Sequence, residues 1–369
     1  MAAGQTILTV KSKYAIFLTL RIEPDGVTRV RDTLEGLTGR VRTVGSRDPE
    51  SRLSVIAGIG SDAWDRLFSG PRPRQLRPFK GYAGEVHTAP STPGDILLHI
   101  KAQTMDVCYE IGQILTTDFG DSVRTLEEIH GFRYFDLRDL TGFVDGTENP
   151  EGDAALEAIT VSESEDPAFA GGSYITVQRY ETDMAKWNAL SVEQQEAVFG
   201  RTKSENIEMD EDEKPINSHI AVNQVEDAEG NQLQIVRDNM PYGNASGTGI
   251  KGTYYIAYSK NPDITDEMLE KMFIGDPPGN YDALLDFTTA VTGCEFFAPR
   301  ADFLDDLPPA PAGAKSESTA PAGPPSPVEP PSPVEPPSPV EPPSPVEPPS
   351  PVEPVETLSD GSLGIGSLR

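Results

Sequence analysis

"GDILLHIKAQTMDVCYEIGQILTTDF", Gly94 to Phe119, places two periodicities in one stretch. Its first nine residues are a short apolar run of strand length. After Gln103 and Thr104 the apolar residues recur at three- and four-residue spacing, as on one face of a helix. Strand followed by helix is the local unit, and it is repeated along the chain. Upstream, "YAIFLTLRI" (Tyr14 to Ile22) reads as a strand, "TRVRDTLEGLTGRVRTV" (Thr28 to Val44) as one helix and "LSVIAGIG" (Leu53 to Gly60) as a strand. After Asp145 the order returns. "GGSYITVQRYE" (Gly171 to Glu181) is a strand, "MAKWNALSVEQQEAVFG" (Met184 to Gly200) one helix, "GTYYIAYSK" (Gly252 to Lys260) a strand, and "DEMLEKMFIG" (Asp266 to Gly275) a helix with an acidic first turn. Two similar α+β halves follow. Helices cover one face of each sheet, which leaves the other face to pack on its counterpart, so a cavity is expected between the halves.

The body that carries these elements ends near Leu307. Twenty of the 35 prolines lie between Pro308 and Pro354, a stretch without aromatic residues in which "PPSPVE" is written five times from Pro324 to Glu353. Such a segment cannot build a core and is expected to be disordered or polyproline-like. Net charge is −29, and the tail from Pro308, with two basic and eight acidic residues, carries little of it. A body this acidic repels phosphate backbones and anionic lipid, which argues against nucleic acid and membrane surfaces as partners. "AIFLTL" (Ala15 to Leu20) is too short to span a bilayer and no signal-like segment opens the chain, so a cytoplasmic protein is expected. Cys108 and Cys294 lack ligand spacing and read as buried small hydrophobes.

Four histidines limit the candidates for chemistry. His99 lies inside an apolar strand, His87 and His130 sit beside turn residues, and His219, in "PINSHIAVNQ", stands between a long polar loop and a strand. Loops as long as Thr202 to Gln224 are usually functional. Eighteen residues after His219 comes Arg237, in "IVRDNMPYG", which follows a hairpin turn at "DAEGNQ", and strand alternation puts Arg237 and Asn239 on one side with Asp238 on the other. An arginine and an amide turned together into a pocket are costly unless paired or used. The alternative is a salt-bridged arginine on an exposed sheet face.

The third element is "GFVDGTENP", Gly142 to Pro150. Glycines on both sides of Val144-Asp145 let the backbone approach a ligand and hold Asp145 at a fixed angle; a tight turn with a self-bonded aspartate is the plain alternative. Pro150 stands where a calcium loop needs glycine. "GTGIKG" (Gly247 to Gly252) matches a dinucleotide fingerprint in letters alone, because it leads into a strand rather than a helix.

"GFVDGTENP", then "NSH", then "IVRDNMPYG", then Phe296-Phe297 resemble the dye-decolourising peroxidases, above all their compact bacterial class B or P-type subgroup, over roughly Thr6 to Leu307. The resemblance implies an α+β fold of two ferredoxin-like halves of the dimeric α+β barrel type, about residues 6–140 and 141–307 of a peroxidase domain 1–307, with heme b between them. It implies an enzyme that reduces hydrogen peroxide and oxidises phenolic or dye-like one-electron donors; a heme-binding or heme-handling protein without turnover is the alternative. His219 would be the iron ligand, Asp145, Arg237 and Asn239 the catalytic residues on the other face, with Gly146 beside the cofactor. Asp286, with Asp282 second, would be the carboxylate behind His219. Relatives of this subgroup imply a hexamer.

"DGSLGIGSLR" (Asp360 to Arg369) resembles the C-terminal peptides that load cargo into encapsulin nanocompartments. Residues 308–354 would then be a linker, 355–369 the shell-targeting peptide, and Leu363, Ile365 and Leu368 the side chains docked in the shell protein. Three such side chains contribute about 5–9 kcal/mol at most, against ~1–2 kcal/mol per ordered residue. Firm loading would need several tails on one oligomer.

Overall fold

The computed structural model describes residues 5–247 and 249–311. The targeting peptide and nearly all of the proline linker, with Leu363, Ile365 and Leu368, lie outside the described residues. The first of two compact units, Met1–Glu317, holds every described residue.

In the first half, β1 (Tyr14–Ile22), α1 (Val27–Glu35), α2 (Leu37–Gly45), β2 (Ser54–Gly60), β3 (Ile96–Ala102), α3 (Met105–Phe119) and β4 (Val123–Phe132) follow one another. Strand order is β2-β3-β1-β4, all antiparallel, with Phe17 opposite His99 and Ile56 opposite the same histidine. The helix expected over Thr28 to Val44 is divided at Gly36, a weak helix former that ends α1 and precedes α2, whereas Gly39 is held inside α2.

The second half repeats the plan with β5 (Ser173–Thr182), α4 (Met184–Asn188), α5 (Val192–Phe199), α6 (His219–Val222), β6 (Val236–Arg237), β7 (Met240–Gly243), β8 (Lys251–Ser259), α7 (Pro262–Phe273), β9 (Thr288–Ala290) and β10 (Cys294–Ala298). Here β10 and β8 flank β5, and the side of β8 away from β5 pairs with β7 at one end and β6 at the other. Each half thus has the ferredoxin-like order, with first and third strands central. The helix expected over Met184 to Gly200 is two helices. Ser191 accepts from the Gln194 N–H while the Gln194 side chain bonds back, and this capping box starts a new helix.

The halves meet edge to edge rather than only face to face. Phe296 pairs with Gly60 and Gly131 pairs with Tyr242, so eight strands close into a ring that leaves no open edge. The interior of the ring is packed solid by Phe17, Ile56, Leu97, Ile175, Tyr254 and Phe296. Phe17 and Tyr254 stack across the two halves at 4.1 Å between ring centroids. Apolar side chains at this density leave no room for a ligand, so the cavity expected between the halves lies elsewhere. Cys108 and Cys294 are both buried and unpaired, as their surroundings in the sequence suggested.

Candidate active site

A cavity with about 1430 Å³ of empty space, its open mouth included, is lined by residues between Asp139 and Thr288. It therefore belongs to the second half and the segment that joins the halves. Its walls are largely apolar, with Phe199, Leu233, Ile235, Met268, Met272 and Leu284 among them, and four polar side chains chosen from the sequence open onto it: Asp145, His219, Arg237 and Asn239.

His219 begins the four-residue helix α6, with Ser218 as N-cap, where the sequence suggested the approach to a strand. Its Nδ1 lies 2.6 Å from Asp282 Oδ2. A carboxylate accepts only, so Nδ1 carries the hydrogen and Nε2 keeps its lone pair. Asp282 is fully buried and held on both oxygens: Oδ1 accepts the Leu284 N–H at 2.9 Å, and Oδ2 also accepts the Asn223 amide at 3.2 Å. Asn223 donates as well to the His219 carbonyl at 2.7 Å, which fixes the turn.

Asp286, expected behind His219, is not there. It closes the 3-10 turn that Asp282 opens, and that turn carries its carboxylate out to the surface, where it meets His87 Nε2 at 3.1 Å and the Tyr281 hydroxyl at 3.3 Å. Asp282, the second choice, takes the position.

On the loop Gly142 to Pro150, Gly142 and Gly146 both adopt left-handed backbone, φ +93° and +74°. A side chain at Gly146 would stand 3.0 Å from the Asn149 amide and 3.2 Å from Lys11 Nζ, so both conformation and space call for glycine. Asp145 Oδ1 accepts the Asn239 amide at 3.1 Å, and Asn239 Oδ1 accepts the Ile256 N–H at 2.9 Å. That second bond fixes which end of the amide faces Asp145. Arg237 and Asn239 share the cavity side while Asp238 turns away to Lys101, as strand alternation required.

Arg237 Nε is buried without a hydrogen-bond partner, and among the described residues no carboxylate lies within ion-pair distance of its guanidinium. Arg201 is in a similar position. It bonds Glu148 and the Asn206 carbonyl, each at 3.0 Å, yet its Nε is buried, unpartnered and part of a residue lining the cavity. Burial pushes Asp139 up to about 6, with Asp145 adding to the rise against hydrogen bonds from Thr141. Burial likewise raises Tyr255 to about 12, opposed by the Arg237 charge.

Asn149, Arg201 and Asn223 went unassigned in the sequence. Only Asn223 left a signal, since it follows His219 by four residues and so shares its helical face. Together the site offers a ring nitrogen with a free lone pair, able to ligate a metal, apolar walls and two arginine Nε atoms without hydrogen-bond partners. This donor set fits a flat, largely apolar group with a metal at its centre and acidic substituents at its edge, which is the chemistry of heme.

Comparison with known proteins agrees. The family models described as Dyp-type peroxidase, N-terminal, and Dyp-type peroxidase, C-terminal, match residues 4–133 and 136–303. A dye-decolorizing peroxidase of Rhodococcus erythropolis is 48% identical over 368 residues, 100% of this chain and 97% of that one. The cryo-EM structure of the encapsulated DyP-type peroxidase from Mycobacterium smegmatis has a TM-score of 0.82 at 53% identity, covering 84% of this chain and all of that one. A DypB variant from Rhodococcus jostii RHA1, solved in complex with heme, has a TM-score of 0.79 at 46% identity, covering 82% and 98%. The chain belongs to the Dyp-type peroxidase family and is a heme peroxidase.

Proposed function

We propose that His219 Nε2 ligates the iron of heme b and that Asp145, Arg237 and Asn239 act on hydrogen peroxide in the same cavity, with phenolic or dye-like molecules as one-electron donors. The observation that carries this is the joint lining of one apolar cavity by the Asp282-bonded imidazole and the Asp145–Asn239–Arg237 set. Heme, when bound, would supply the two electrons that reduce peroxide and hold the two oxidising equivalents that result until one-electron donors replace those electrons.

The chain's own residues would do the rest. Asp282 draws on the Nδ1 hydrogen and makes His219 a stronger donor at Nε2. Asp145 Oδ2, the oxygen that Asn239 leaves free, takes a proton from one peroxide oxygen and returns it to the other, so that water can leave. Arg237 stabilises the negative charge on the departing oxygen; its guanidinium stays charged at any working pH and, among the described residues, has no carboxylate within ion-pair distance. Asn239, its amide oriented by Ile256, positions peroxide or a water beside Asp145. Arg201 and Gly146 would stand next to the cofactor, Arg201 toward an acidic edge.

The relative from M. smegmatis, covered over its whole length, is an encapsulated peroxidase, and Asp360 to Arg369 of this chain resemble encapsulin cargo-loading sequences. We read it as cargo, held in a cytoplasmic nanocompartment by Leu363, Ile365 and Leu368, and as a homo-oligomer, hexameric as the subgroup suggests. Among the described residues no helix is long and apolar enough to cross a membrane.

The test is an absorption spectrum of the heme-loaded protein before and after one equivalent of peroxide, alongside His219→Ala. A Soret band that shifts with peroxide in the parent and is lost or unresponsive in the variant is the expected result. Heme uptake without any peroxide response in the parent would favour heme handling instead.

A further inference from the structure

Every residue lining the cavity lies between 139 and 288, so the first half contributes nothing to its wall. A side chain of that half nevertheless bonds the stretch that carries the site, which Lys11, Ser12 and Arg133 also border. Lys101, on β3, is 2% exposed, and its ammonium bonds Asp238 Oδ2 at 2.7 Å and the Ile7 carbonyl at 2.7 Å. Asp238 stands between Arg237 and Asn239 on the opposite face of the strand. A buried ammonium is costly unless paired, and every other residue of β3 is also buried, so an aliphatic side chain would suit the position better if packing were all it served.

The rest of the stretch is held from within the second half. Asn149 bonds both the N–H and the carbonyl of Arg237, the Asp238 N–H donates to the Ile256 carbonyl at 3.0 Å, and Asn239 accepts from the Ile256 N–H. The Asp238 side chain is the tie to the first half. Burial is the largest influence on its carboxyl and raises it, yet the carboxyl is kept below the usual range by the Lys101 ammonium, which bonds it, together with His99 and Lys11.

We propose that Lys101 is a positioning residue for the peroxide-reactive set: by holding the Asp238 carboxylate toward the barrel it fixes the pitch at which Arg237 and Asn239 enter the cavity, and it keeps that carboxylate from neutralising Arg237. The inference rests on the reading of Arg237 as the peroxide-facing cation.

The experiment uses heme-loaded Lys101→Met, the isosteric neutral pair Lys101→Met/Asp238→Asn, and Arg237→Leu. For each, cyanide affinity is measured by Soret titration, the bimolecular rate with peroxide by stopped flow, and Tm and heme content are recorded. Lys101→Met is expected to weaken cyanide binding and slow the peroxide step about tenfold, at unchanged heme content. In the double variant Tm returns to the parental value while cyanide affinity stays several-fold weaker. Return of both Tm and cyanide affinity in the double variant overturns the proposal, since the pair would then be structural only. Parental affinity in Lys101→Met also overturns it. If Lys101→Met fails to load heme, the double variant decides alone. Parental cyanide affinity in Arg237→Leu would instead bring down the reading of Arg237 and the proposal with it, which separates the two failures.

Discussion

Asn149 grips the peptide of Arg237 at both ends: its Nδ2 donates to the Arg237 carbonyl at 2.6 Å and its Oδ1 accepts the Arg237 N–H at 2.9 Å. The side-chain amide thus stands in for a neighbouring strand at the edge of β6. It ties the Gly142 to Pro150 loop, with Asp145, to the strand carrying Arg237 and Asn239. Asn149→Ala removes both bonds and leaves the partners buried, at a cost of about 2 kcal/mol. A lower Tm together with a slower peroxide step, heme content unchanged, is the expected pattern; Tm loss alone would mean that the grip does not set the site.

Asp145→Asn keeps the Asn239 contact but cannot take up a proton, and Arg237→Leu removes the charge while preserving bulk. Each should lower the bimolecular rate with peroxide by about 10²- to 10³-fold. Stopped-flow measurement across pH distinguishes them, because loss of a proton acceptor alters the pH profile and loss of a permanent cation lowers the whole curve.

Asp282→Asn should weaken the pull on the His219 hydrogen, raise the iron reduction potential and slow peroxide turnover by about 10- to 100-fold. Asp286→Asn, at the surface beside His87 and Tyr281, should change neither. Spectroelectrochemical titration of the two variants side by side checks the assignment, and equal potentials would refute it.

Glu295, on β10, is 4% exposed with both carboxylate oxygens lacking hydrogen-bond partners. Burial first, then Asp266, raises it from 4.5 to about 8, with Arg77 opposing. A carboxyl whose folded value is raised binds more protons in the folded than in the unfolded chain, so its contribution falls as pH rises from about 4.5 through about 8. The loss is at most about 5 kcal/mol. Glu295→Gln should flatten Tm against pH across that window and be the more stable protein above pH 8; parallel Tm curves would contradict this.

Deletion of Asp360 to Arg369, with shell protein co-expressed, should abolish co-purification with assembled shells while leaving peroxidase turnover intact. Full loading of the truncated enzyme would remove the targeting assignment.

Much of this molecule was legible in its linear sequence because the decisive signals are local. Strand alternation separated Arg237 and Asn239 from Asp238, apolar periodicity located β1, β3, β5 and α3, and paired glycines marked the loop of Asp145. A helix break at Gly36 or Ser191 depends on a single weak residue or cap and was hidden within an otherwise helical pattern. What only the tertiary structure decided is long-range. Closure of the ring through Phe296–Gly60 and Gly131–Tyr242 filled the space between the halves with side chains and left the cavity to the second half and the segment that joins the halves. The choice of Asp282 over Asp286 turned on which side of one short turn each carboxylate emerges. Lys101 meets Asp238 across 137 positions of chain, a contact that no local pattern encodes because it exists only once both sheets have closed on each other.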